Sequence, residues 1–480
     1  MMQAAQGRNW LLLFTLLFVV VGGSMLSSCK KEVFLNAGGY LRFSTDTLTF
    51  DTVFTAQGSV TRSFKVYNPN KQRIKISSIA LRGGDSSRFR MNIDGTPCKK
   101  ITDVELAPDD SLYIFVATTI NPTAGNLPFL VSDAVDVQFN QKAYDIPLEA
   151  YGQDAHYITD SVLTSQTWIN DKPYVIIHSA LVDSGEVLTI QKGCRIYMHA
   201  DSKLYVSGSL KAFGTKKDSI IFQGDRLDRD YFGYKDYPSE WCGIHFLRSS
   251  SQNVMNFTVI KNAGNTNFDN FYPAAVIVSP PWVVSSQPVL EMNQCIVANS
   301  GGYGILGFNT QVRLRNCLIH TCGLQNIGFF EGGNYEVTNC TLCTYGGLGI
   351  NHANQPTVAI LNYRDVSLTE YVGNDLTCTF TNNIVYGPLS NEFFVAKKTD
   401  WAYNLTVDHC LLKRTDAMPI TPTNTMLNVD PQFTDLAKWN YRPKSTSPAK
   451  GAGITLPAIL NDLDDLPRGN PPSIGCYEVN

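Results

Sequence analysis

The chain has no apolar run long enough to cross a bilayer: the run at residues 10–21 is twelve residues, against the roughly 20 that a spanning helix needs. It has little charge, 17% Asp, Glu, Lys and Arg with a net charge of -3. No basic stripe interrupts that balance, so nucleic acid is not an expected partner. With 44% hydrophobic residues, the 480-residue chain can bury large cores and leaves little room for disorder.

What the short apolar run does fit is the h-region of a signal peptide. Arg8 supplies the positive flank before it, and Gly22, Gly23, Ser24, Ser27 and Ser28 supply the small residues after it. Leu26-Ser27-Ser28-Cys29 resembles the bacterial lipobox, whose cysteine is diacylated on sulfur and becomes the mature N terminus. The resemblance implies a signal peptide over residues 1–28, lipidation at Cys29 and a tether over 29–40. Two or more acyl chains, palmitate among them, anchor stably because each methylene adds about 0.8 kcal/mol of membrane affinity. Lys30, Lys31 and Glu32 follow the cysteine; with no Asp directly after it, the pattern implies the outer membrane, facing either the periplasm or the exterior.

Of twelve cysteines, removal of Cys29 leaves an odd number, so at least one is unpaired within a monomer. Cys340-Thr-Leu-Cys343 has CxxC spacing, but in an extended strand an offset of three puts the sulfurs on opposite faces. That argues against a zinc or redox site.

Residues 41–152 alternate apolar and polar in short runs: Leu48 and Phe50, Phe64 and Val66, Ile74 and Ile76, Leu112, Ile114 and Val116, Val135, Val137 and Phe139, Ile146 and Leu148. Turn formers such as Asn68-Pro69-Asn70, Gly83-Gly84-Asp85 and Pro108-Asp109-Asp110 bound them. About seven half-buried strands predict an antiparallel β-sandwich. The run from Ser63 to Pro69, followed by Ile74 to Leu81 and Phe89, resembles the immunoglobulin-like modules of bacterial surface proteins, and the segment reads as a spacer.

Residues 153–429 follow a repeat. Asn256-Phe-Thr258-Val-Ile-Lys-Asn262-Ala-Gly264 aligns with Asn293-Gln-Cys295-Ile-Val-Ala-Asn299-Ser-Gly301, Arg315-Asn-Cys317-Leu-Ile-His-Thr321-Cys-Gly323 and Thr338-Asn-Cys340-Thr-Leu-Cys-Thr344-Tyr-Gly346. Weaker copies surround Asn383 and Cys410. The equivalent positions Thr258, Cys295, Cys317, Cys340, Asn383 and Cys410 lie 37, 22, 23, 43 and 27 residues apart, a period of 22 to 23 with insertions. Leucine-rich repeats share that period but need Leu-x-x-Leu-x-Leu, which is absent; propeller blades recur every 40 residues or more. One strand per 22-residue copy is what a coil of a right-handed parallel β-helix looks like, with coils rising about 4.8 Å. Cys295, Cys317 and Cys340 would then form one ladder, and Asn262, Asn299, Thr321 and Thr344 another at a turn. Cα atoms stacked that closely admit a disulfide, but parallel Cβ vectors in a packed stack favour compact buried thiols.

The segments Leu188 to Met198, Lys203 to Thr215 and Asp218 to Phe222 resemble the opening coils of bacterial β-helix lipoproteins. Residues 430–480, with Asp430-Pro431-Gln-Phe433, Asn440-Tyr-Arg442, Ser447-Pro448-Ala449 and Ile474-Gly475-Cys476-Tyr477-Glu478, resemble the capping segment of that group. The resemblance implies an all-β chain, an immunoglobulin-like sandwich followed by a right-handed parallel β-helix. That fold is shared by polysaccharide lyases, glycoside hydrolases and noncatalytic surface proteins, so it does not choose among them.

Galacturonan hydrolases of this fold carry Asn-Thr-Asp, Asp-Asp, Gly-His-Gly and Arg-Ile-Lys segments that flank the glycosidic oxygen with carboxylates. Gly-His-Gly and Asn-Thr-Asp are absent here; Arg73-Ile74-Lys75 and Asp109-Asp110 fall in the sandwich and Asp464-Asp465 in the cap. Pectate lyases need acidic calcium ligands and a basic residue on the helix face, whereas residues 253–350 hold only Asp269, Glu291, Glu331 and Glu336 as acids. Asp462-Leu-Asp464-Asp465 reads as a solvated turn with a salt bridge to Arg468, and no metal or cofactor is expected.

The surface richest in sugar-binding residue types is the insertion at 224–241, where rings stack on apolar sugar faces and charged groups hold hydroxyls. Its candidate ligand residues are Asp225, Arg226, Asp228, Arg229, Tyr231, Tyr234, Tyr237 and Trp241. A second insertion, 268–288, carries Phe271, Tyr272 and Trp282, and a third, 351–375, carries His352, Tyr363, Arg364, Asp365, Glu370 and Tyr371. The expected function is a noncatalytic outer-membrane lipoprotein that binds or scaffolds polysaccharide or another envelope component. The alternatives are a β-helix lyase or hydrolase, and a structural or adhesive surface protein. Cys29→Ser is expected to move the folded protein from the membrane to the soluble fraction in cell fractionation; retention in the membrane pellet would sink the lipobox reading.

Overall fold

The computed structural model describes residues 33–55, 58–121, 129–227, 229, 233, 236–265 and 272–479; Cys29 and the signal segment lie outside them. The chain divides into two compact units whose boundary follows Gly152.

The first unit is a sandwich of two five-stranded antiparallel sheets. One runs in the order Arg42–Phe43, Arg62–Tyr67, Ser111–Thr118, Phe89–Ile93 and Thr96–Cys98. The other runs Leu48–Phe54, Lys142–Gln153, Phe129–Phe139, Ile74–Leu81 and Lys100–Leu106. Side chains alternate across each sheet as the period of two requires, so Phe50, Phe64, Val66, Ile76, Ile114, Val137 and Leu148 meet in one core. Among the described residues ten strands are present where about seven were expected. The extra ones are short or, like edge strand Lys100–Leu106, mostly exposed, and so lack the alternation that marks a strand in sequence. The turn at Asn68 works through its buried amide, whose Nδ2 donates to the carbonyls of Gln72, Leu106 and Ala107 at 2.8 to 3.1 Å.

The second unit is a parallel β-helix whose 25 strands form three ladders, here A, B and C. Ladder A includes Lys203–Val206, Gly243–Phe246, Ala274–Val278, the first part of Tyr303–Arg315 and of Ile327–Thr338, Val358–Leu361 and Phe393–Ala396. Ladder B includes Ser209–Phe213, Asn253–Asn256, Leu290–Asn293, the second halves of the two long strands, Leu376–Thr381 and Tyr403–Asp408. Ladder C includes Arg195–Met198, Ile220–Gly224, Thr258–Lys261, Ile296–Ser300, Leu318–Cys322, Thr341–Cys343, Ile384–Tyr386 and Leu411–Leu412.

The register places Thr258, Cys295, Cys317, Cys340, Asn383 and Cys410 in one column, as the repeat alignment predicts. The reason lies one residue earlier, at the bend from B to C. Phe257, Gln294, Asn316, Asn339, Asn382, His409 and Asn424 all have φ between 43° and 56°, a left-handed conformation that Asn tolerates better than most. The bend turns the next backbone N–H along the stack, where it needs an acceptor. Cys317 N donates to Cys340 Sγ at 3.4 Å, Cys340 N to Asn383 Oδ1 at 2.7 Å, Asn383 N to Cys410 Sγ at 3.4 Å, and Cys410 N to Thr425 Oγ1 at 3.2 Å. The column is therefore made of small side chains that can accept from the coil before them. The thiols are free.

Cys340 and Cys343 separate as an offset of three requires: Cys340 joins the interior of the coils and Cys343 a second core outside ladder C. That second core is formed by the C-terminal segment, which lies along the flank of the stack. Phe433, Tyr441, Ala449, Ile474, Cys476 and Tyr477 cover Leu318, Ile384 and Leu411. Gln294 Nε2 and Asn316 Nδ2 donate to the carbonyls of Asp462 and Asn461 at 2.6 and 2.9 Å, and Asn382 Nδ2 to that of Ile454 at 2.8 Å. The bend residues of successive coils are thus the fastening points of the flank.

Burial pushes the thiols up, to about 11 for Cys194 and about 12 for Cys322, Cys410 and Cys476, and it is the thiolate that reacts. Of the eleven described cysteines only Cys98 is not buried. A maleimide at pH 7.5 is expected to leave the ten buried thiols unmodified in native protein and to modify all of them in guanidinium chloride, counted by intact mass. Native labelling of several would overturn the buried-thiol assignment.

Candidate functional site

The insertion at 224–241 leaves ladder C after Gly224 and rejoins ladder A at Gly243. Its charged groups bind each other and the coils. Arg229 Nε donates to Glu240 Oε1 at 2.6 Å, and its Nη2 bonds Glu240 Oε2 and, at 3.0 Å, the Gly224 carbonyl. Both side chains are nearly buried. Burial raises Glu240, with Arg229 opposing the rise. Trp241 is fully buried, its Nε1 donating to the Lys261 carbonyl at 2.9 Å. Arg229 and Trp241 therefore hold the loop to the coils and do not face a ligand, contrary to the sequence expectation; tryptophan fills a core as readily as it stacks on a sugar. Arg226 and Tyr237 are exposed, and the Tyr237 carbonyl accepts from Asn262 Nδ2 at 2.9 Å. Asp228, Tyr231 and Tyr234 lie outside the described residues.

Asp225 meets His199 Nδ1 at 2.7 Å, which raises the imidazole pKa. This is one of three His–Asp contacts in the early coils, with His156–Asp171 at 2.9 Å and His178–Asp201 at 2.5 Å. The sequence signal was available, since His156, His178 and His199 recur at the coil period. Among the described residues no three metal-ligating side chains come together. In the 462–465 turn Asp464 binds Arg442 and Lys216, while Asp462 Oδ1 accepts from the backbone of Asp464 and Leu466; Arg468 pairs instead with Glu478 at 3.7 Å.

The outer face of ladder A is unusual for a solvent-facing sheet surface. Ala274, Ile277 and Leu306 are buried there, outside the coils, against Tyr303, Phe308 and Phe330. Phe308 and Phe330 stand opposite each other on adjacent coils, their ring centroids 6.1 Å apart. Tyr272 lies 5.3 Å from Phe308, and Tyr303 meets Phe330 edge-on at 6.1 Å. Gly328 makes this possible: a Cβ there would come within 3.0 Å of both the Tyr303 and Phe330 rings.

These rings, with Leu361, Tyr363, Arg364 and Asp365, line a cleft of about 280 Å³, near the lower end for small-molecule sites. The Arg364 guanidinium sits 5.6 Å from the Phe308 centroid and its Nε donates to Glu331 Oε1 at 2.6 Å. Burial works against the Arg364 charge, but Glu331 more than compensates, so its pKa is raised. Tyr272, Tyr363, Arg364 and Asp365 come from the second and third insertions noted in sequence; Tyr303, Phe308 and Phe330 were missed. Phe308 and Phe330 are 22 residues apart, a coil period that reading along ladder A would have found.

The described acids of residues 253–350 are committed to arginines. Glu291 and Glu336 enclose Arg313 at 3.0 and 2.8 Å, and Glu336 also binds Arg315 at 2.8 Å. Although burial would raise Glu291, Asn293 and Arg313 hold it below the usual carboxylate range, the reverse of what a general acid needs.

No family model matches the chain, and no curated protein matches it. Solved structures similar to part of it include a family 123 glycoside hydrolase from Clostridium perfringens, at 9% identity over 23% of this chain and 25% of that one, with a TM-score of 0.17. The E. coli chaperone DraB is similar at 10% identity over 24% and 56% of the two chains, TM-score 0.17. A PapD-like domain of human CEP192 is similar at 12% identity over 27% and 94%, TM-score 0.17. The chain thus spans a quarter of the first of these structures and just over half of the second, and likenesses this distant say nothing about activity.

Trp241→Ala is expected to cost about 3–5 kcal/mol of stability, the usual range for emptying a buried aromatic site, seen as a lower Tm of the β-helix by calorimetry. An unchanged Tm would put Trp241 back among ligand-facing residues.

Proposed function

We propose that the chain is a noncatalytic glycan-binding protein of the bacterial envelope, tethered to the outer membrane through Cys29, with the sandwich as a spacer and the β-helix as the binding surface. The observation that carries this reading is the aromatic cleft on ladder A. Tyr272, Tyr303, Phe308, Phe330 and Tyr363 present ring faces and edges to one space, with Arg364 and Asp365 beside them. Sugar rings have apolar C–H faces and polar rims, so stacked rings flanked by hydrogen-bonding groups recognise them. The absence of a free carboxylate pair among Glu291, Glu331 and Glu336, each bound to arginine, favours binding over hydrolysis or elimination.

The test is affinity electrophoresis against neutral and anionic polysaccharides, followed by calorimetry on those that retard the protein. Phe308→Ala, Phe330→Ala and Tyr363→Ala are each expected to weaken binding about two- to tenfold, from the roughly 0.5–1.5 kcal/mol of an aromatic contact, with circular dichroism unchanged. Equal affinity in all three variants, or release of reducing or unsaturated ends from any retained polysaccharide, would falsify the proposal.

A further inference from the structure

Two apolar tips project from a single corner of the β-helix, the one joining ladder A to ladder B. The first is in the loop between Ala274–Val278 and Leu290–Asn293, where Trp282, Val283 and Val284 are 70%, 79% and 77% exposed. The second is the hairpin of Tyr363–Asp365 and Tyr371–Gly373, inserted between Val358–Leu361 and Leu376–Thr381, with Leu368 wholly exposed and Val366 half exposed at its apex. The two intervening coils turn this corner within the continuous strands Tyr303–Arg315 and Ile327–Thr338. The tips are therefore three coil steps apart, about 14 Å at the usual strand spacing.

Neither tip is a slack loop end. Trp282 N donates to the Arg248 carbonyl at 2.8 Å, and Gln311 Nε2 holds the Ser285 carbonyl at 2.7 Å. In the hairpin, Val366 N donates to the Glu370 carbonyl at 2.8 Å and Glu370 N to Ser367 Oγ at 3.1 Å. Isolated exposed apolar side chains are ordinary. Two braced apolar tips on one corner need a nonaqueous neighbour.

We infer that this corner rests on a lipid bilayer, with Trp282, Val283, Val284, Val366 and Leu368 entering the boundary between headgroups and acyl chains. Composition and layering select lipid over a protein partner. Residues 272–290 contain no charged side chain, and Trp is a preferred residue of the interfacial belt. In the hairpin the aliphatic apex is followed by Tyr371, which meets Trp401 edge-on at 6.0 Å. Lys398 Nζ lies 4.4 Å from the Tyr371 ring centroid and 5.0 Å from that of Tyr363, and Tyr371 Oη donates to Asp400 Oδ2 at 2.9 Å, so aliphatic, aromatic and charged groups come in the order that a membrane interface presents. Asp365 and Glu370 flank the apex and confine the hairpin to the headgroup layer. Two separate convex tips suit a deformable surface. This inference does not rest on glycan binding, and lipid contact without glycan binding would leave it standing.

The test uses the full chain with Cys29→Ser, so that no acyl anchor contributes. Because the described thiols other than Cys98 are buried, Cys98→Ser is added to the parent chain, and a polarity-sensitive maleimide dye is then placed singly through Val284→Cys, Leu368→Cys or Lys217→Cys, with the parent chain as labelling control; Lys217 lies at the corner from B to C. On addition of phosphatidylcholine vesicles, the dyes at 284 and 368 are expected to shift blue and to be quenched by brominated acyl chains, while the dye at 217 does neither. No change at 284 and 368, or an equal change at 217, overturns the inference. So does a blue shift at 284 or 368 that grows with protein concentration in the absence of vesicles, which would assign the corner to a second copy of the chain.

Discussion

The bend between ladders B and C governs the second unit. From Phe257 to Asn424 a left-handed residue at each bend turns a buried N–H along the stack, and from Cys317 to Cys410 the acceptor is a side chain of the next coil. Ile220, one coil before Thr258, follows no left-handed residue and stands outside the pattern; leaving a buried donor unpaired costs about 1–3 kcal/mol, so over the later coils the requirement restricts the column to side chains that are small and can accept. Cysteine, threonine and asparagine are what remain. Cys295, Cys317, Cys340 and Cys410, four of the eleven described cysteines, are thus a packing choice, made where an oxygen or sulfur acceptor must fit among apolar neighbours.

That rigidity leaves function to the corners and outer faces. The interior is packed with apolar side chains along its length, and the outer face of ladder C from Ile296 to Leu411 is covered by the C-terminal segment. Among the described residues, ladder A combines an apolar outer patch with insertions that rise beside it. The cleft draws on strands of successive coils and on the hairpin arm, so its ring spacing is set by the coil rise.

Repeat and sandwich were legible because both write their geometry as periodicity. Alternation marked the buried faces of Arg62–Tyr67 and Ser111–Thr118, and the bend chemistry fixed the register from Thr258 to Cys410 through insertions of unequal length. The candidate site was less legible for a physical reason. Charged and aromatic residues crowd the loop at 224–241, but composition cannot tell an Arg229 that clasps Glu240 from one that faces solvent, or a Trp241 in the core from one on the surface. The cleft residues are dispersed, from Tyr272 to Asp365, and only the register of ladder A brings Phe308 against Phe330.

The segment fastened along the flank has a mechanical meaning. Stacked coils touch only their neighbours, so a solenoid pulled from one end can peel one coil at a time. Contacts from residues 454–462 to the bends at 294, 316 and 382, and from Cys476 to Thr341, tie distant coils in parallel, so that under tension they must yield together. A tensile load on the stack would then meet a zipper in the early coils and a rivet in the late ones.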